Sequence, residues 1–224
     1  MLASYRKVSH ICLANNGFSA KNLLITATIS ILLFVLQKGI YMKLNRTHYL
    51  ETPRLILRKF TINDAQLMYK NWANDAEVTR YMNWFPHKNI QETMDVLTMW
   101  EEKYANSDFY HWAIVLKKSN EPIGSISVVK IDRANSTGEI GFCIGKSYWH
   151  QGFVSEAFSC IIQYLLFDVG LQELTARHDV RNPYSGGVMR KCGMEFVETK
   201  ENIGCSKEGE TINYSYYSIS RKNI

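Results

Sequence analysis

Between residues 42 and 224 the apolar positions change period several times, from two to three-or-four and back. Each change marks the end of an element. Arg54 to Phe60 (RLILRKF) sets apolar Leu55 and Leu57 two apart among basic neighbours after Pro53, which predicts a strand. Thr61, with Asp64 three residues on, predicts a helix start, and Ala65, Leu67, Met68 and Trp72 supply one apolar face. Asn89 with Glu92 repeats that signature before Ile90, Met94, Leu97, Trp100 and Tyr104. The aromatic stretch 81–88, containing Pro86, links the two helices. Strands are predicted at 110–116, 123–130 and 139–144, separated by the polar turns 118–121 and 133–138.

A long amphipathic helix is expected at 155–169, stopped by Gly170, with Ala157, Ile161, Ile162, Leu165 and Leu166 facing inward. A short strand at 174–178 and a helix at 184–192, closed by Gly193, come next. Strands at 196–202 and 211–220 form a hairpin around 204–209. This order predicts one α/β domain, a mixed sheet flanked by helices, over residues 42–224.

Composition adds little to that picture but excludes several classes. The chain has 224 residues, 46% hydrophobic and 21% charged, within the range of ordinary globular proteins. Its net charge of +5 is concentrated at the start. Residues 1–41 hold Arg6, Lys7, Lys21 and Lys38 and no acid, leaving 22 basic and 21 acidic side chains for the remainder. No basic stripe with interleaved aromatics occurs, so no nucleic-acid partner is expected. Five dispersed cysteines lack metal spacing and argue for reduced thiols, with no metal site, in a cytoplasmic protein.

The apolar run from Leu23 to Leu36 is short for a spanning helix, which needs about 20 residues. It lacks a small-x-small cleavage pattern after it. Residues 1–41 are therefore expected to be an extension outside the fold, with an uncleaved membrane-associated helix as the rival and no firm membrane partner.

Candidate chemistry sits where the 139–144 strand runs through Gly145–Val154 into a helix. A helix N-terminus presents unpaired N–H groups and a dipole that favours anions. Gly152 lets the backbone approach a phosphate closely. Alone, one glycine before a helix fits an ordinary strand-to-helix turn at least as well.

Three ordered blocks change that. Residues 148–157, YWHQGFVSEA, resemble the acetyl-CoA motif of GNAT acetyltransferases, Q/R-x-x-G-x-G/A, with Trp149 in the first position and Val154 where Gly or Ala is usual. Residues 179–196, DVRNPYSGGVMRKCGMEF, are similar to an N-x-x-S-x-x-V-x-x-K-x-G segment, matched by Asn182, Ser185, Val188, Lys191 and Gly193. The opening ETPRLILRKF has the third pattern, T-x-R-L-x-L-R. Together they resemble the ribosomal-protein-alanine N-acetyltransferase branch of that superfamily over roughly residues 48–220.

The resemblance implies a mostly antiparallel sheet with two splayed central strands, 139–144 and 174–178, and acetyl-CoA as co-substrate lying in the gap. Phe142, Cys143 and Ile144 would meet the pantetheine arm and thioester. His150, Gln151, Gly152, Phe153, Val154 and Ser155 would cradle the pyrophosphate, with Asn182 and Ser185 beside the sulfur. An N–H near Cys143 or Ile144 would stabilise the oxyanion. The family's acidic Tyr is replaced by Met189, so Ser185, or a water it holds, is the expected proton donor. Glu139 is the expected base, with His111 and His178 behind it. A solvated strand-end carboxylate is an equally good account of Glu139, and His150 is expected to be a passive loop residue. Cys143 reads as a small buried hydrophobe. Tyr81, Trp84 and Phe85 either wall the acceptor site or cap the core.

The expected reaction is acetyl transfer to a primary amine, with a protein N-terminal α-amino group as favoured acceptor. A small-molecule amine is the alternative, and a non-catalytic acyl-CoA-binding module stands further off. A monomer or a homodimer fits equally.

Overall fold

The computed structural model describes residues 46–224; the expectations for the N-terminal extension lie outside them. Strand β1 (Leu50–Glu51) precedes β2 (Leu55–Arg58). A 3-10 turn (Ile62–Asp64), helix α1 (Ala65–Met68) and a π segment (Tyr69–Ala73) replace the single helix predicted after Thr61. The Asp64 carboxylate accepts from the Thr61 N–H at 2.9 Å, so the predicted start signal operates there. Helix α2 (Ala76–Thr79) lies in the stretch after α1 that the hydrophobic pattern leaves unassigned. Its Asp75 cap accepts from the Glu77 and Val78 amides. Helix α3 (Ile90–Lys103) starts at the predicted Asn89 cap.

Strands β3 (His111–Leu116), β4 (Glu121–Asp132) and β5 (Thr137–Ile144) form a meander. Helix α4 (Phe153–Gln163), two residues longer at its start than predicted, runs on into a π segment, Tyr164–Asp168. Strand β6 (Glu173–Asp179), helix α5 (Pro183–Lys191) and the hairpin β7 (Glu195–Cys205) and β8 (Thr211–Ser220) complete the domain.

The eight strands lie in the order β1-β2-β3-β4-β5-β6-β8-β7, and all neighbours are antiparallel except β5 and β6. That parallel pair is brief: Thr137 faces Glu173, Gly138 faces Leu174 and Glu139 faces Thr175. Beyond Glu139 and Thr175 the two strands continue without pairing to each other, while β4 and β8 still pair their outer sides. The sheet therefore splits in its middle, as the resemblance implies.

Alternation of side chains along each strand sends one set to each face of the sheet. Leu57, Trp112 and Ile114 join Phe158, Ile161 and Leu165 under α4 on one face. Ala113, Val115 and Cys143 join Phe60, Trp72 and Leu97 on the other. Each large side chain so buried contributes on the order of 1.5–3 kcal/mol. The sheet is covered on both faces, and its central split opens between the two layers. Among the described residues no helix is long and apolar enough to cross a membrane.

Candidate active site

The split strands present free backbone groups. The Gly145 N–H bonds outward to Ile123 O on β4 at 2.8 Å. By strand alternation the N–H groups of Ile144 and Phe142 point the other way, into the gap. The Ile144 carbonyl is taken by the Trp149 indole at 2.9 Å, which anchors the loop that follows. Alternation thus favours Phe142 and Ile144, rather than Cys143, as the N–H donors to an acyl chain lying in the gap.

The loop after β5 is held from three directions. Gly152 has φ +77° at the α4 N-cap, a left-handed conformation that side chains disfavour. The first intrahelical bond runs from the Glu156 N–H to Gly152 O at 3.0 Å, so the amides of Phe153, Val154 and Ser155 precede it and are open to an anion. A Cβ on Gly152 would lie 3.6 Å from the Arg54 guanidinium and 3.8 Å from Lys191 Nζ. Arg54 also donates to Gln151 O at 3.0 Å, pairs with Glu156 at 2.6 Å and covers the Phe153 ring at 4.4 Å. Lys191 has no ion pair among the described residues. A cation left unpaired beside open helix-end amides suits a pyrophosphate.

A cavity of about 470 Å³ joins these parts. Phe142, Cys143, Ile144, His150, Gly152, Phe153, Val154, Ser155, Asn182 and Ser185 all line it. Two predicted residues do not. Gln151 turns its side-chain amide to Ser147 O at 2.9 Å, leaving only its carbonyl, bound by Arg54, to shape the loop. Glu139 stands at the last paired register, where the gap begins.

On α5, the Asn182 side chain donates to Ser185 Oγ at 3.1 Å, which leaves the serine proton free to point elsewhere. The Tyr184 ring meets that of His150 edge-on at 5.0 Å, from opposite sides of the cleft. The remaining wall comes from α2 and the residues after it: Glu77, Val78, Arg80, Tyr81 and Met82. Lys207 in the β7–β8 turn donates to Thr79 O at 2.7 Å and Trp84 O at 3.3 Å, while Glu210 in the same turn pairs with Arg181 at 2.9 Å. The turn thereby bridges the two walls.

The titratable groups sort differently from expectation. His111 is buried among Trp100, Phe60 and Phe109, and burial pushes its pKa down to about 3. It is a neutral core histidine. His178 lies on the other face of β6, under α5: a Cβ on Gly186 would come within 2.5 Å of its Nε2, and it stacks on Tyr217. Neither ring backs Glu139. Arg177 does, with Nε 3.0 Å from the carboxylate, and its guanidinium lies over Tyr214 at 4.7 Å. Burial pushes the Cys143 thiol up to about 12, so it stays protonated at neutral pH. Met189, at the position of the family's acid, is 1% exposed. Trp84 packs on the core while Phe85 stays exposed; of the three aromatics singled out in the linker, Tyr81 alone lines the cavity.

Several contributors carry little sequence signal. Lys191 appears in the sequence as a motif match without a role, and the fold supplies one by placing it at Gly152. Arg80, the stretch holding Arg181 and Tyr184, and Lys207 come from three separate segments, and only tertiary contact gathers them. Among the described residues no cluster suited to a metal ion occurs.

A split sheet with an anion cradle at the end of one central strand defines an acyl-CoA-binding fold. Residues 54–195 match the acetyltransferase (GNAT) domain, and the chain belongs to that family. It is an acetyl-CoA-dependent N-acetyltransferase, with acetyl-CoA as co-substrate. An uncharacterized N-acetyltransferase p20 from Bacillus licheniformis is 32% identical over 59% of this chain and 74% of its own length. The ribosomal-protein-serine acetyltransferase of Escherichia coli is 30% identical over 50% of this chain and 59% of its own. The microcin C7 self-immunity acetyltransferase MccE, solved with acetyl-CoA and AMP, shares the fold at a TM-score of 0.67 and 21% identity, over 75% of this chain and 93% of that one.

Proposed function

We propose that the acceptor is the N-terminal α-amino group of a protein. The observation that carries this reading is the likeness to the Escherichia coli enzyme named for acting on a ribosomal protein. The sheet face beside Glu139 supports it: Arg177 is exposed and Tyr214 and Tyr216 are half-buried, leaving room for a chain beside the thioester.

In this reading the pyrophosphate rests on the Phe153, Val154 and Ser155 amides, with Lys191 and Arg54 nearby. The pantetheine arm lies along β5. The neutral amine attacks the thioester carbonyl carbon, and the Phe142 N–H faces the oxygen that gains charge. The nitrogen gives up its proton to Glu139 through solvent. When the carbon–sulfur bond breaks, the leaving sulfur takes a proton from the Ser185 hydroxyl, which Asn182 orients and which solvent reprotonates in the same step, or from a water held there that exchanges with solvent. Arg177 keeps the Glu139 carboxylate in place beside the gap.

Thiol release from acetyl-CoA, measured with peptides beginning Ala or Ser beside free amino acids and aminoglycosides, tests the acceptor. The expected result is turnover on the peptides. Ser185→Ala is expected to lower kcat about 10²-fold or more with little change in acetyl-CoA KM, the range of general-acid contributions. Turnover confined to small amines would overturn the protein acceptor, and an unchanged kcat in the variant would remove Ser185 from the proton path.

A further inference from the structure

We infer that Arg80 recognises the acceptor, and that the amine this enzyme acetylates carries a carboxylate; the inference rests on the acetyl-transfer reading above and refines its substrate class. The cavity is lined by three charged side chains besides Arg80, namely Glu77, Arg181 and Lys191, and each has its charge accounted for. Glu77 pairs with Lys146 of the loop after β5. Arg181 is held by Asp179 at 2.7 Å and by Glu210 at 2.9 Å. Lys191 stands beside Gly152 at the phosphate end. Arg80 is exposed, lines the cavity and has no carboxylate partner among the described residues. Its recorded side-chain contact is with the Tyr81 ring, 5.4 Å from the guanidinium carbon.

Its place in the wall separates it from the donor. Arg80 directly follows Thr79, whose carbonyl holds Lys207 of the β7–β8 turn. The cradle glycine faces Arg54, just before β2, and Lys191 of α5, on other elements. The pyrophosphate therefore has its own cations, and Arg80 is assigned to an anion brought by the acceptor, the CoA 3′-phosphate being the rival that the acetyl-CoA KM below tests. A guanidinium matches a carboxylate through two parallel N–H bonds, a fit that an amide lacks. Tyr81, Met82 and Val78 around it offer apolar surface for the rest of such a molecule. The carboxylate has two sources, a free amino acid or an acidic residue near the start of a peptide.

The test compares matched acceptors: peptides with Asp or Glu at the second or third position against Asn or Gln, and free amino acids against their amides. Wild type, Arg80→Ala and Arg80→Lys are measured with each. Wild type is expected to lose about tenfold in kcat/KM when the carboxylate becomes an amide, the usual cost of one charged hydrogen-bonded pair. Arg80→Ala is expected to abolish that preference by raising the acceptor KM, with acetyl-CoA KM within about twofold of wild type, and Arg80→Lys to restore part of it. Equal rates on acidic and amide acceptors in wild type would overturn the inference while leaving acetylation of N-termini standing. A raised acetyl-CoA KM in Arg80→Ala would also overturn it, by assigning Arg80 to the donor. Arg80-dependent turnover of acidic free amino acids with none on peptides would uphold it and remove the protein acceptor instead.

Discussion

Glu156 is the point where two distant sequence blocks meet. Its carboxylate accepts from the Thr52 hydroxyl at 2.6 Å, the Arg54 amide at 2.9 Å and the Arg54 guanidinium at 2.6 Å. Arg54 in turn holds the Gln151 carbonyl of the cradle. The T-x-R opening and the Glu after the glycine loop thus form one clamp that fixes the loop to β2. Burial acts to raise the Glu156 pKa, but the Thr52 and Arg54 bonds outweigh it and the net displacement is downward. A depressed carboxylate pKa contributes stability that is present above the unfolded value of 4.5 and disappears as pH falls through the folded one. Glu156→Gln should therefore be less stable than wild type at neutral pH, with the gap closing in acid. Urea titrations at a series of pH values check the sign. The same variant should raise acetyl-CoA KM several-fold and leave kcat nearly unchanged, because the clamp positions the cradle and touches no reacting atom.

At the scale of elements, what could be read from sequence depended on how local the determinant is. Helix α3 was legible to within a residue because Asn89 and a regular apolar face mark it. The first helical region was not: a 3-10 turn, a four-residue α segment and a π segment share one hydrophobic stripe, so periodicity shows a single helix. The last hairpin was legible as two strands and a turn, but its docking was not, since Lys207 finds Thr79 across 128 residues. That docking has a measurable role. The Lys207 side chain is 6% exposed and supplies charge-assisted bonds to two wall carbonyls. Lys207→Met keeps the apolar stem but leaves those carbonyls unpaired, at a cost on the order of 1–3 kcal/mol. It should raise acceptor KM, because Arg80 and Tyr81 lose their anchor, while acetyl-CoA KM stays constant. Equal changes in both constants would mean the turn does not shape the acceptor wall.

At the scale of the molecule, the sheet consists of β1–β5 and β6–β8, joined along their facing edges by three residue pairs, with α4 packed on β2 and against α5, which lies on β6–β8. The donor half of the site left marks in the sequence because backbone geometry dictates it: Gly152 must be left-handed, and the α4 start and Asn182 must stand at fixed distances along the chain. The acceptor half is made of side chains from unrelated segments and left almost none. Even Glu139, proposed from its strand, has a different neighbour from the one expected: Arg177 in place of His111 or His178. The split also predicts how the protein responds to its co-substrate. Residues 140–144 and 176–179 have strand geometry, yet each lacks a partner on the side facing the other. A pantetheine arm lying between them supplies the missing peptide-like groups and ties the two halves together. A ligand that binds the folded state alone, at a hundred times its Kd, adds about 2.7 kcal/mol of stability. For a domain of this size that is a rise of roughly 5–10 °C in Tm. Hydrogen exchange should then slow at the inward-facing amides of 140–144 and 176–179, with little change in β2 or β3. Pantetheine without the nucleotide should protect the same amides more weakly, because it lacks the phosphates for which Gly152 and Lys191 are the proposed partners. A Tm rise without protection along the split would place the acyl arm outside the gap and remove Phe142 from oxyanion stabilisation.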